Sequence, residues 1–164
     1  MSKITYQCTW CEEESPLEGV QTACTCGKPL EVVFDWENAS PNKRDLDPEN
    51  RTLWKYRDVL APIDDDHIVT LGEGWTPTAD GIDYNGVTIF IKDESVNPTG
   101  SFKDRGMSTA VSHARQNGIS EVCLPSAGNA GVSASAYCQA AGIACHVFLP
   151  ETIPSSFIDA TKEY

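Results

Sequence analysis

Four groups of residues in this sequence have types and spacings suited to chemistry. Cys8-Thr9-Trp10-Cys11 and Cys24-Thr25-Cys26-Gly27 place four thiols in two short runs, twelve residues apart, with Pro16 and Gly19 between them. Two tight turns would set four thiolates around one tetrahedral zinc, and a filled coordination shell makes such a site structural, not catalytic. The Cys24-x-Cys26 gap is shorter than the commoner two-residue spacing, so free thiols, or a site that has lost its metal, stand as the competing reading. The second group is Asn97 to Gly106, which joins a turn signal, a helix start and the single lysine Lys103. Asn97-Pro98 and Thr99-Gly100 end an extended run, and Ser101 is placed to cap a helix by accepting a backbone N–H. Lys103 then falls in the first helical turn, where free N–H groups and the helix dipole disfavour an ammonium and favour the neutral amine that a Schiff base requires. An ordinary solvated lysine is the alternative.

The third group, Ser126-Ala127-Gly128-Asn129-Ala130-Gly131, puts backbone N–H groups, a hydroxyl and an amide at the mouth of an alanine-rich helix, a setting that binds carboxylates or phosphates. The fourth, Leu71-Gly72-Glu73-Gly74-Trp75-Thr76-Pro77-Thr78, is a glycine loop whose hydroxyls and N–H groups could face an anion, or an ordinary turn.

Taken in chain order, Leu71 to Thr78, Asn97 to Gly106 and Ser126 to Gly131 resemble the motifs of fold-type II pyridoxal phosphate (PLP) enzymes, which include threonine synthases, threonine dehydratases and cysteine synthases. The resemblance covers the chain from about Leu71 onward. It implies that Lys103 is the Schiff-base lysine and proton carrier, that Asn129 hydrogen-bonds the cofactor ring oxygen, and that Ser126, Ala127, Gly128, Asn129 and Ala130 cradle the substrate carboxylate. Thr76 would lie on the substrate side. The first thirty or so residues look like the small cysteine-bearing segment of some threonine synthases, which tilts the expected reaction toward O-phosphohomoserine and water giving threonine and phosphate. A threonine dehydratase or a cysteate-synthase-like lyase is the alternative within the family. Pyridoxal 5'-phosphate and a structural zinc at Cys8, Cys11, Cys24 and Cys26 are the expected cofactors.

The elements that must position these groups are legible as an α/β pattern. Leu30 to Phe34 reads as a strand closing the cysteine module, and Asn38 to Asn50 as a polar linker. Leu53 to Leu60 has apolar residues at helical spacing, with Pro62 as its stop. Asn85-Gly86 marks a hairpin turn that feeds Val87 to Lys92 as a buried strand. Met107, Ala110, Val111 and Ala114 form the expected buried stripe of the Lys103 helix, ended by Gly118. Arg105 and His113 read as solvated or pairing residues. Glu121 to Leu124 and Ala144 to Leu149 read as strands flanking a helix from Ala130 to Ala141, which Gly142 ends. Cys123, Cys138 and Cys145 are expected to be small core residues, and His146 a packing or surface residue. The predicted fold is a layered α/β domain with a largely parallel sheet, preceded by a zinc-ribbon-like module. Its expected divisions are 1–36 for the module, 37–70 for a linker and packing helix, and 71–164 for the catalytic part.

Composition narrows the partners. There are 24 acidic and 12 basic residues, a formal charge of −12, and Asp64-Asp65-Asp66 concentrates it. Such a field repels nucleic acid and suits solubility in high salt. No run approaches the apolar length of a membrane span, and Met1 to Tyr6 has no apolar signal core, so a cytoplasmic location is expected. A small amino-acid substrate is the expected partner, and a homo-oligomer at full length is compatible with this reading. Family members are longer, and no glycine-rich cluster for a cofactor phosphate follows Gly142. The chain therefore reads as the amino-terminal portion of an enzyme, against which stands a non-catalytic fragment or zinc-bearing interaction protein.

Overall fold

The computed structural model describes residues 4–36 and 46–164, so residues 38–45 of the expected linker lie outside the described residues. The chain divides into two units, Met1–Asp47 with Tyr56–Pro62, and Pro48–Lys55 with Ile63–Tyr164.

The first unit is built on a three-stranded antiparallel sheet of β1 (Ile4–Cys8), β2 (Glu14–Pro16) and β3 (Leu30–Phe34), in the order β2-β1-β3. Its register sets Tyr6 opposite Val32 and Cys8 opposite Leu30, and Tyr6 and Cys8 are buried. Two tight turns leave the sheet. In one, the Cys8 N–H donates to Glu13 O (2.9 Å), with Glu12 at φ 60°; in the other, the Gly27 N–H donates to Cys24 O (2.8 Å), with Gly27 at φ 78°. Each turn carries two of the cysteines.

In the second unit, β4 (Ile82–Tyr84) and β5 (Val87–Ile89) form an antiparallel hairpin. Its turn residues Asn85 and Gly86 both have positive φ, as a two-residue turn of matching twist requires. There follow α1 (Lys103–Gln116), β6 (Glu121–Pro125), α2 (Asn129–Ala141), β7 (Ala144–Phe148) and α3 (Ser155–Lys162). Strands β6 and β7 are parallel and joined through α2, the α/β unit expected from the sequence; the parallel sheet has two strands among the described residues.

Helix α2 is buried from Gly131 to Cys138, which its small residues permit. A Cβ on Gly131 would stand 2.9 Å from Val147 Cγ1 and 3.1 Å from Ser126 Cβ, so glycine is what lets α2 lie against β7 and the preceding turn. Val69, Val111, Ala136, Tyr137, Cys138 and Ile143 form the core, with Met107, Ala114, Val122, Ala141 and Cys145 packed against it. Each larger apolar side chain so buried contributes about 1.5–3 kcal/mol.

Four expectations are corrected. Leu53–Val59 is not a continuous helix but 3-10 turns broken at Tyr56 (φ −102°, ψ 20°). The segment is short, and its entry is bound by side chains: Asn50 Oδ1 accepts the Thr52 N–H, and Thr52 Oγ1 accepts the Trp54 N–H. The strand at Val87 stops at Ile89 and is exposed, as are Phe90 and Ile91, because β5 pairs only with β4 among the described residues. On α1, Ala110 is exposed, and the fully enclosed face combines Val111 with Asp104, Ser108 and Ser112. Cys123 is exposed on β6, while Cys138 is buried as expected.

Candidate active site

The site is built outward from α1. Lys103 is its first residue, half-buried, with Nζ 4.6 Å from the centre of the Phe102 ring. Ser101 Oγ accepts the Lys103 N–H at 3.3 Å, the capping contact that the sequence suggested, although the residue next to the helix start is Phe102. The turn before it closes through the Gly100 N–H on Asn97 O (2.8 Å).

Asp104 fixes this turn from below. Its fully buried carboxylate accepts the Thr99 N–H (2.7 Å), the Thr99 hydroxyl and the Ser133 hydroxyl (2.6 Å). A carboxylate in the first turn is also favoured by the helix dipole. Ser133 lies on α2, one turn beyond Asn129, which corresponds to about 6 Å along the axis. The starts of α1 and α2, and with them Lys103 and Asn129, are thus held in one neighbourhood.

The Ser126 hydroxyl organises the mouth of α2. It accepts the Gly131 N–H (2.9 Å) and the Gly128 N–H (3.3 Å) and lies 3.1 Å from Gly128 O as donor. The N–H groups of Asn129 and Ala130 take no partner among the described residues. They are free donors at a helix N-terminus, suited to an anion.

The glycine loop is tied down at two points. Glu73 is fully buried, and its Oε2 accepts the Tyr137 hydroxyl (2.7 Å), the Thr70 hydroxyl (3.0 Å) and the Leu71 N–H (3.1 Å), while Oε1 has no partner among the described residues. Burial, then the Glu73 carboxylate, pushes the Tyr137 phenol upward and keeps it protonated. At the second point, Asn97 Oδ1 accepts the Gly74 N–H (3.1 Å), and the Asn97 amide donates to Glu94. Arg105 grips Glu94 with two bonds, Nε to Oε2 at 2.7 Å and Nη2 to Oε1 at 2.8 Å. That guanidinium, followed by the Thr76 hydroxyl and the Asn97 amide, lowers the Glu94 carboxyl to about 2. Arg105 is a pairing residue, as its sequence context suggested.

Of the residues singled out in the sequence, Lys103, Asn129 and Ser126 to Ala130 gather at the two helix starts, and Thr76 is linked to α1 through Arg105. Asp104, Glu94, Tyr137 and Ser133 were not anticipated. Asp104 and Arg105 flank Lys103 by one and two positions, and charges so close to a helix start were the signal available. Lys103 supplies an amine, and Asn129 with Ala130 supplies free donors, so the residues present suit a carbonyl-bearing, anionic cofactor or substrate.

In the first unit, the Sγ atoms of Cys8, Cys11, Cys24 and Cys26 lie within 4.8 Å of one another. Cys8 and Cys26 approach to 3.5 Å, and Cys11 and Cys24 to 3.6 Å. Zinc–thiolate bonds of about 2.3 Å require tetrahedral edges of about 3.8 Å, so the four thiols suit such an ion. The backbone N–H groups of Cys11 and Trp10 point at Cys8 Sγ and hold its thiol down at about 6.

The profile of the family described as pyridoxal-phosphate dependent enzyme matches residues 69–164. The chain belongs to that family. Within it, the chain is similar to a threonine synthase of Methanocaldococcus jannaschii, 34% identical over 88% of this chain and 37% of the relative. It is also similar to a threonine synthase of Mycobacterium bovis, 48% identical over 58% of this chain and 28% of the relative. Among solved structures, that of a pyridoxal 5'-phosphate-dependent aspartate racemase is 31% identical with a TM-score of 0.51, over 54% of this chain and 30% of that one. The chain thus spans roughly a third of the length of the curated relatives it matches. Among the described residues no helix is long and apolar enough to cross a membrane.

Proposed function

We propose that the protein carrying this chain is a threonine synthase, converting O-phosphohomoserine and water to threonine and phosphate, and that this chain supplies the lysine-bearing part of its active site. The observation that carries the reading is the Asp104–Ser133 bond, which holds the amine of Lys103 and the free N–H groups of Asn129 and Ala130 at adjoining helix starts. Threonine synthases at 34% and 48% identity support the choice of reaction within the family.

When bound, PLP supplies the electron sink for charge that develops at the substrate α-carbon. Lys103 would hold it, and the Lys103 amine would take and return the α-proton at Nζ. Asn129 would orient the cofactor ring through its amide. The Asn129 and Ala130 N–H groups receive the substrate carboxylate, and Ser126, whose hydroxyl is engaged by Gly128 and Gly131, keeps those donors in place. In net terms, the γ-carbon exchanges its phosphate for a proton, and the β-carbon gives up a proton and takes the hydroxyl of water. The cysteine module holds a structural zinc at Cys8, Cys11, Cys24 and Cys26, and the protein acts in the cytoplasm on a small amino acid.

The reading is tested by loading the full-length protein with PLP, reducing it with borohydride and mapping the label, alongside assays of threonine formation from O-phosphohomoserine and of threonine deamination. Label on Lys103 with threonine formed is the expected result. Label with deamination alone assigns a dehydratase, and no label on Lys103 removes the cofactor assignment.

A further inference from the structure

We infer that Thr76, Glu94 and Arg105 form a latch that fixes the Gly72 to Thr78 loop to the first turn of the Lys103 helix, and that Thr76 is a positioning residue and not a substrate ligand. The inference rests on the reading of Lys103 as the cofactor lysine, since that reading gives the loop something to be positioned against.

A threonine hydroxyl has one proton to donate and two lone pairs. In Thr76 the proton goes to Glu94 Oε1 at 2.6 Å, and one lone pair takes Arg105 Nη2 at 3.2 Å. The residue is 6% exposed. A substrate group wanting a donor from Thr76 would have to displace a charge-assisted bond to a carboxylate that Arg105 already holds in a two-pronged grip.

The backbone around Thr76 is fastened to the same strip of chain. Thr76 O accepts from Lys92 Nζ (2.7 Å), the Asp93 N–H donates to Pro77 O (2.9 Å), and the Ala79 N–H donates to Ile91 O (2.8 Å). Residues 76–79 therefore run alongside 91–93, which lead directly into Glu94, Asn97 and Lys103.

The loop also needs holding. Trp75 is 58% exposed and stands at φ 49°, in the left-handed region that a bulky residue rarely adopts. Gly74, at φ 115°, lies where a Cβ would come within 2.8 Å of Leu53 N. This conformation is not one the loop would choose alone. The bonds on either side of Trp75, Gly74 to Asn97 and Thr76 to Glu94, both end on residues 94–97, the short 3-10 turn that leads into the turn before α1.

The test uses the full-length protein with Thr76→Val, Thr76→Ser and Arg105→Lys. In cofactor-free protein, amide exchange across residues 70–78 should be about tenfold faster in Thr76→Val and unchanged in Thr76→Ser, since only valine lacks the bond. With PLP and O-phosphohomoserine, Thr76→Val should lower kcat more than it raises KM, and serine should restore kcat. A raised KM with unaltered loop exchange would make Thr76 a substrate ligand and overturn the latch. If Thr76→Val does not fold, Arg105→Lys decides: it keeps the charge and loses the two-pronged grip, so faster exchange supports the latch and unchanged exchange overturns it. Borohydride labelling of the wild-type protein runs in parallel. Absence of label on Lys103 would remove the cofactor reading, whereas the exchange result stands without any cofactor.

Discussion

The Ser133 hydroxyl donates to Asp104 Oδ1 at 2.6 Å, between the second turn of α2 and the first turn of α1, and both residues are fully buried. One short polar contact thereby sets the spacing between the helix starts that carry Lys103 and Asn129. Ser133→Ala removes one of three donors and should cost about 1–2 kcal/mol, whereas Asp104→Ala strands all three and should cost about 3–5 kcal/mol. Urea unfolding of the two single variants and the double variant checks this. Strict additivity would show that the two side chains do not interact.

Gly131→Ala should destabilise by about 1–3 kcal/mol, because the added methyl meets Val147 and Ser126 on the tight side of α2. Helix propensity favours alanine by about 1 kcal/mol, so the sign of the change is itself informative. A variant as stable as the parent would mean that α2 can retreat from β7 at little cost.

Acid should weaken the latch around Glu94. Its carboxyl is lowered from 4.5 to about 2, chiefly by Arg105. A carboxyl depressed on folding contributes stability that is fully present above its unfolded value and is lost as pH falls from 4.5 through about 2. The side chain is 24% exposed, which tempers the effect. Unfolding free energy measured across that range should fall by about 1–3 kcal/mol more in the parent than in Glu94→Gln, which cannot titrate. Equal acid profiles would rule out this contribution.

Removing metal should act on the cysteine unit first. Protein prepared without chelator is expected to contain about one zinc per chain, and chelation should speed amide exchange in β1 and β3 before it affects α2, since small modules fold largely on their metal. Cys8→Ser should reproduce the loss. Metal-free protein with an equally protected β1 would show that the four thiols do not need an ion.

The parts of the fold that local signals dictate were legible in the sequence. Asn85-Gly86 specified the hairpin turn, Gly142 the end of α2, and the apolar runs either side of α2 the two parallel strands. Lys103 at the first turn of α1 followed from the turn residues before it. What escaped depends on partners distant in the chain. Leu53 to Leu60 has helical spacing, but Trp54 is fixed by its indole N–H on Ser108 Oγ (2.9 Å), and nothing in the segment discloses that bond. Ala110 has the better side chain for a core, yet Ser108 and Ser112 take the buried face because each finds a hydrogen-bond partner there. Asp104 and Glu73 look like surface carboxylates until Ser133 and Tyr137, 29 and 64 residues away, are brought to them.

Val69 shows what those buried hydroxyls do. Its C=O accepts the Ser108 hydroxyl at 2.7 Å and its N–H donates to Ser112 Oγ at 2.8 Å. A residue outside any regular element thus has both main-chain groups satisfied by side chains one turn apart on a helix, which serves as a surrogate neighbouring strand. Substitution tolerance should run opposite to intuition here. Position 69 accepts any apolar side chain of similar volume, because its backbone makes the bonds, while positions 108 and 112 admit little besides serine.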